Sequence, residues 1–408
     1  MKALRVIVYS LRFTVYSLRF TVYSLLFIVY CLTLSGCIEA FEADLPAEET
    51  NLLVVEGTIC SAKWNTFILS RTQPVKSSYM PLMVTGATVS VRGSDGSEYK
   101  AEDNGQLQDG AYACRVGALD PNVEYYLHIE VDGEVYESEP QKPLRTEEIE
   151  EVRGVQNTPE SGIDVLVTPA APFEPDKVNY YSWTYDETWE VHPEYTTIIF
   201  YDIVSMQPVY NPNQFARRGW KDATSSTIMV GASSGYAGQH IRELKLYDID
   251  RRDKRMYYRY SGLLHQRAIS KAEYEYDLAR RQAGSEMGGL FTPQPSALPT
   301  NIRCLTSRKH VIGYVGCSLN TSEYRFFFDA RDFSIPDPPK REGRLWVENP
   351  TDKDCWRLVV DKGMYLCIWE DRREYGESLL TGWAYKYQLD VRYQGAYIEQ
   401  PDFWTDER

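Results

Sequence analysis

From Leu52 onward, apolar and polar residues alternate at the two-residue period of half-buried strands. LLVVEGTI, the stretch 65–71 and GATVSVRG are the first three such runs, the last with Ala87, Val89 and Val91 on one face. Asp95-Gly96 and Asp132-Gly133 fall between runs as two-residue hairpin turns. DGAYACRV, EYYLHIEV and EVYESEP complete a set of short strands of about 100 residues, the size of an immunoglobulin-like sandwich. Pro140 and Pro143 close it. The alternation resumes near Ile149 with GIDVLVTP and NYYSWTYDETWEV, followed by strands at 226–230 and 241–247. One helix is expected near 270–284, because Ser270 and Glu273 have capping-box spacing and Ala272, Tyr276, Ala279 and Ala283 repeat at helical intervals. LWVEN, WRLVV, MYLCIW and YQLDVRY read as closing strands. The pattern predicts a mainly β protein. Its N-terminal immunoglobulin-like β-sandwich spans 51–146, and a second β-rich domain with one helix spans 147–408.

The first 36 residues break this pattern. Lys2 and Arg5 open a repetitive stretch in which VYSLRFT, VYSLRFT, VYSLLFI and VYCLTLS follow one another from Val8, Val15, Val22 and Val29. Acids are absent, so a coiled coil is disfavoured and a duplicated stretch inside a signal peptide is the simpler account. The uninterrupted apolar segment from Phe20 to Leu34 suits a signal-peptide core and is short for a membrane span of about 20 residues. It ends in Leu34-Ser35-Gly36-Cys37, the pattern of a bacterial lipobox. Residues 1–36 are thus expected to be a lipoprotein signal peptide, with acyl chains such as palmitate on Cys37. Two or more chains hold a protein stably on a membrane. Ile38 follows the cysteine where an aspartate would favour inner-membrane retention, and 37–50 forms an acidic tether with Glu39, Glu42, Asp44, Glu48 and Glu49.

Charge narrows the function further. The chain of 408 residues carries 44 basic and 58 acidic side chains, a formal charge of -14. Without the leader, 40 basic residues face 58 acidic ones, a net charge of -18. So acidic a body repels phosphate backbones, and nucleic acid is not an expected partner. After Cys31 and Cys37, six cysteines remain: Cys60, Cys114, Cys304, Cys317, Cys355 and Cys367. An even number in an exported chain is compatible with disulfides, here Cys60–Cys114, Cys304–Cys317 and Cys355–Cys367, or with buried thiols. None has zinc-site spacing, and the five histidines share no ligand spacing, so no metal or cofactor is expected.

Two stretches carry candidate chemistry. Gly231-Ala232-Ser233-Ser234-Gly235 matches a Gly-x-Ser-x-Gly nucleophile elbow, the alternative reading being a secreted serine hydrolase. The elbow needs a helix after the serine and a parallel sheet around it. A strand follows instead, so a glycine-rich turn is favoured. From Trp183 to Trp220, both included, nine of 38 residues are aromatic, against the five that the chain-wide 13% would give. Pro193, Pro208 and Pro212 interrupt this segment and favour loops. Trp189, Tyr195, Tyr210 and Trp220 are the candidate ligand or partner contacts, on loops held by a rigid β scaffold.

The lipobox, LVVEGTI, GATVSV, Asp109 to Tyr112, YYSWTYDETWEV, ISKAEYEY, GGLFTPQPSALPTNIRC and the closing Pro401-Asp402-Phe403-Trp404 occur in a familiar order. The chain resembles the Bacteroidota lipoproteins grouped as domain-of-unknown-function family 4249 (DUF4249). That resemblance implies an outer-membrane lipoprotein facing the cell exterior, often encoded beside a TonB-dependent receptor, and it brings no catalytic residues. The expected function is a non-enzymatic accessory or ligand-capture partner of a TonB-dependent transporter, a structural or adhesion surface module being a third reading. Cys37→Ala is expected to abolish membrane attachment, because no other thiol stands at the mature terminus. Labelled palmitate still entering that variant, with the protein still in the membrane fraction, would contradict it.

Overall fold

The computed structural model describes residues 51–73, 81–102, 108–285, 298–339 and 343–406, so the expected leader, Cys37 and tether lie outside the described residues. The chain is mainly β. The first eight strands are β1 (Leu53–Cys60), β2 (Trp64–Arg71), β3 (Leu82–Met83), β4 (Thr88–Gly93), β5 (Glu98–Glu102), β6 (Ala111–Arg115), β7 (Tyr125–Val131) and β8 (Glu134–Ser138). Both expected hairpin turns form, the first as a three-residue loop, Ser94 to Gly96, closed by Gly93 N donating to Ser97 O at 2.8 Å. Asp132 and Gly133 take φ of 54° and 77°, the pair of left-handed residues that a two-residue turn demands.

These strands make an immunoglobulin-like sandwich, but 51–146 alone does not complete it. Two later strands, β18 (Ile302–Cys304) and β19 (Val311–Ser318), join it. The order is β18-β8-β7-β4-β5-β6-β2-β1-β19, wrapped around one core that includes Val55, Phe67, Leu69, Val91, Leu127 and Val315. β19 runs parallel to β1, with Val55 opposite Gly313. The two ends of the order meet where Asn301 exchanges hydrogen bonds with the backbone of Val315, at 2.9 and 3.0 Å.

The next strands are β9 (Ile149–Val155), β10 (Ile163–Pro169), β11 (Tyr180–Val191), β12 (Ile199–Asp202), β13 (Gln207–Tyr210), β14 (Gly219–Thr224), β15 (Met229–Ala232), β16 (Leu244–Ile249), β17 (Arg259–Ile269) and β20 (Ser322–Asp329). Sheet β16-β10-β9 faces sheet β14-β11-β17-β20, in which β15 also pairs with β11. Ile163, Val165 and Val167 pack there with Tyr181, Trp183, Tyr260, Leu264 and Phe326. Gly262 lies across from Phe326, and a Cβ at that position would come within 2.3 Å of the ring, so glycine is required for the ring to lie flat on the strand.

Helix α1 (Lys271–Ser285) forms where the sequence places it, with Ser270 Oγ accepting from Glu273 N at 3.1 Å. Its buried side is Glu273, Tyr276 and Asp277, while Ala272 is exposed. The Glu273 carboxylate turns to Arg267 instead of back to the cap. The closing region holds β21 (Leu345–Glu348), α2 (Asp352–Val360), β22 (Met364–Asp371), β23 (Leu379–Tyr385) and α3 (Lys386–Leu389). WRLVV is thus helical, not a strand. Thr351 and Asp354 form the reciprocal cap, and Cys355 and Leu358 turn inward at helical spacing. YQLDVRY is also not a strand, because Asp390 caps the turn at Val391–Gln394.

The three expected disulfides are absent: all six thiols are free. Cys60 and Cys114 lie on β1 and β6, which β2 separates. Two strand spacings are about 9–10 Å, beyond the Cα separation of about 7 Å that a bridge tolerates. Cys304 Sγ faces the hydroxyls of Thr306 and Ser307, whereas Cys317 lies in the sandwich core. Cys355 and Cys367 belong to two different small cores. Burial pushes the Cys114 and Cys317 thiols up to about 12, which keeps them protonated and unreactive.

A polar junction joins the two sandwiches. Leu144 and Leu319 exchange backbone bonds with the segment opposite, and Thr146 N donates to Asn320 Oδ1 at 2.9 Å. Asn320 Nδ2 donates back to Thr146 O at 2.9 Å, and Thr146 Oγ1 donates to Asn320 O at 2.8 Å. Asn320→Ala would strand two half-buried backbone groups, at about 1–3 kcal/mol each. Denaturant unfolding of that variant should show a loss of about 2–4 kcal/mol; a loss below about 0.5 kcal/mol would mean that the junction is not limiting.

Candidate functional site

The long strands β11 and β17 pair antiparallel, and β14 pairs with the far half of β11. Their shared end brings Lys221 opposite Trp189, and Trp189 opposite Tyr260. Beyond that end the chain turns at Pro193 and enters β17 from Tyr257 and Tyr258. A cleft of about 860 Å³ opens here, its far wall being Asp337, Pro338 and Pro339 together with Tyr387, Tyr393 and Gln394.

Charge in the cleft is ordered by a chain of contacts. Arg218 Nε and Nη2 donate to both oxygens of Glu190 at 2.8 and 3.0 Å, its guanidinium also bonds Asp406, and it lies over the Trp220 ring at 5.0 Å. His192 Nε2 also meets Glu190 Oε1, and its ring stacks on Tyr258 at 4.1 Å. Burial raises the proton affinity of Glu190, but the bonds from His192 and Arg218 outweigh it, so the carboxyl lies below its usual range. Burial, with repulsion from Lys254, lowers the affinity of Lys221 for its proton. Lys221 Nζ is held by the carbonyl of Gln394. Among the described residues, neither Lys221 nor Lys254 has a carboxylate within ion-pair distance.

The four sequence-predicted aromatics separate. Tyr210 is exposed, at 68%, on the β12–β13 hairpin. Trp189, Tyr195 and Trp220 are buried instead. Trp189 belongs to the second sandwich core and lines the cleft. Tyr195 packs with Phe215, Cys367 and Leu389 beneath Arg344. Trp220 is covered by the C-terminal tail: Tyr397 pairs with it in backbone hydrogen bonds, and Trp404 meets it edge-on at 6.1 Å. The expectation of exposed loops fails because Trp189 sits within β11 in the second core, and later parts of the chain cover the other two rings: Arg344, Cys367 and Leu389 for Tyr195, Tyr397 and Trp404 for Trp220.

Ser233 is fully buried at the end of β15, its Oγ accepting from Asn179 N at 2.8 Å and donating to Gln239 Oε1 at 3.0 Å. A turn and a three-residue 3-10 helix follow, so the segment has a structural part in the sheet. Asp248, Asp250 and Asp253 stand close together in the sequence among basic residues, and Asp253 pairs with Arg255 and Asp248 with Lys245. The cleft residues missed in the sequence were Lys221, Lys254, Tyr257, Tyr258, Tyr387 and Tyr393. Among the described residues no cluster of three potential metal ligands is present, and no helix is long and apolar enough to cross a membrane.

A family model described as "Domain of unknown function (DUF4249)" matches residues 38–324, well over half of the chain. The chain belongs to the DUF4249 family. One wall of the cleft, from Asp337 to Gln394, lies beyond the part that the family model covers. Among curated proteins no relative matches. Among solved structures, a two-domain fibronectin type III segment of chicken tenascin is similar at 13% identity, over 53% of this chain and 90% of that one, with a TM-score of 0.14. Overlap that slight carries no functional argument.

Because Trp220 is clamped between β14 and the tail, Trp220→Ala should lower stability by about 3–5 kcal/mol, as for other buried tryptophans. Calorimetry should show a clear fall in melting temperature. An unchanged melting temperature would put Trp220 back among surface contacts.

Proposed function

We propose that this DUF4249 chain is an outer-membrane lipoprotein of Bacteroidota, anchored through Cys37 and facing the cell exterior, which captures a ligand beside a TonB-dependent transporter. The leader that ends in Leu34-Ser35-Gly36-Cys37 and the acidic tether support the anchor and its location. The single observation that carries ligand capture is the cleft, which tyrosine rings line on both sides and in which neither Lys221 nor Lys254 has a carboxylate within ion-pair distance among the described residues. Clefts that combine apolar faces with a few placed polar groups are where proteins hold small ligands.

The hydrolase alternative receives no support from Ser233, since its hydroxyl is sealed in the sheet with both bonds used. An adhesion module is favoured by one feature, the β12–β13 hairpin, which presents Val204 and Tyr210 to solvent at 87% and 68%. Affinity purification of the tagged full chain from detergent-solubilised outer membranes separates the readings. The accessory reading expects a TonB-dependent receptor at near-equal amount. Recovery without any receptor would overturn it in favour of the adhesion module.

A further inference from the structure

We propose that the cleft takes a carboxylate-bearing sugar chain, an inference that rests on the ligand-capture reading above. Three features converge on this class. Lys221 and Lys254 lie near enough to repel each other, and although Glu190, Glu194 and Asp337 also line the cleft, neither lysine has a carboxylate within ion-pair distance among the described residues. Lys221 is held in place by the Gln394 carbonyl, so its ammonium group is positioned before any ligand arrives. An anion between the two lysines would relieve their repulsion.

The walls supply the second feature. Tyr257 and Tyr258 line one side, and Tyr387 and Tyr393 the other, the last two exposed at 41% and 55%. Flat rings with hydroxyl edges suit the CH faces and hydroxyl rims of a pyranose. One face of Tyr387 is stacked on Tyr385, one of Tyr258 on His192, and Tyr393 carries the Lys386 ammonium over its ring at 4.3 Å, so these rings are held in place. Rigid faces lose little freedom when a ligand docks.

The third feature is an orphan acceptor. Glu194 lines the cleft, its carboxylate bonded by the Tyr195 hydroxyl and its Oε2 accepting from Gln388 at 3.4 Å, while its buried Oε1 has no hydrogen-bond partner among the described residues. A buried acceptor left in that state is costly unless a donor arrives. A sugar hydroxyl is such a donor, and it lies beside the carboxylate that the lysines need. An acidic peptide such as polyglutamate would meet the lysines but has neither a rigid CH face for the tyrosines nor a hydroxyl for Glu194.

The test is calorimetric titration of the full chain in detergent with hexagalacturonate, maltohexaose and hexaglutamate. Hexagalacturonate should bind about tenfold more tightly than either rival, and its affinity should fall as salt is raised. Lys254→Gln and Tyr393→Ala should each weaken it by about five- to tenfold with the melting temperature unchanged, because both side chains are exposed. Equal binding of maltohexaose, or wild-type affinity in both variants, would overturn the proposal. Tighter binding of hexaglutamate would overturn it in favour of a peptide ligand. Failure of all three probes in a chain that still co-purifies with the receptor would overturn the sugar class and leave the accessory role standing. Binding of hexagalacturonate by a chain that brings down no receptor would do the reverse.

Discussion

The polar junction between Thr146 and Asn320 is the constraint on which the rest of the molecule depends. β19 ends at Ser318 in the first sandwich and β20 begins at Ser322 in the second, so three residues carry the chain between two cores. Backbone groups that cross from one core to another need partners, and here Leu319 N and Asn320 O find theirs in the parallel linker 144–149. Ser322 Oγ accepts from Ile149 N at 3.0 Å, and Gln266 donates to Glu147 O at 2.8 Å, which ties the first strand of the second sandwich to the same point. Fixing this crossing fixes the register of β19 against β1 and of β20 against β17 together.

From that register the cleft follows. β17 pairs with β20 on one side and β11 on the other, so the position of β20 sets where the far ends of β11 and β17 stop. Those ends carry Trp189, His192, Tyr257 and Tyr258. The C-terminal tail then closes over the outer side of the same strands: Phe403 lies under the Arg325 guanidinium at 3.4 Å, Trp404 packs on Phe327, and Asp406 reaches Arg218. Arg218 in turn holds Glu190 at the cleft. Asp406 of the tail therefore acts at a distance on the electrostatics of the site, through one guanidinium.

Much of this fold is legible in the sequence because strands, hairpin turns and a capped helix are local signals. Asp132-Gly133 and Ser270 work by contacts within four residues, and both appear where expected. What is not legible is non-local. Nothing in VIGYVGCS says that it pairs in parallel with LVVEGTIC some 250 residues earlier, because the alternation that marks a strand carries no address for its partner. WRLVV deceives for another reason: its β-branched residues favour a strand, and only the cap at Thr351 and the inward turn of Cys355 and Leu358 decide for a helix.

The aromatic-rich segment shows why density alone misplaces a binding site. Nine rings in 38 residues need cover, and in a β protein cover can come from any later part of the chain. Tyr195 takes it from Leu389 and Arg344, and Trp220 from Tyr397 and Trp404, all far along the sequence. A ring becomes available for recognition only where its cover runs out. That happens at the end of β11, where the strand stops at Val191 and the facing wall of 387–394 stands away from it. The cleft is thus the place where the second core ends, and its chemistry is set by the residues that happen to border that edge: Trp189 from the core, Lys221 from the neighbouring strand, and tyrosines from the two turns that close around it.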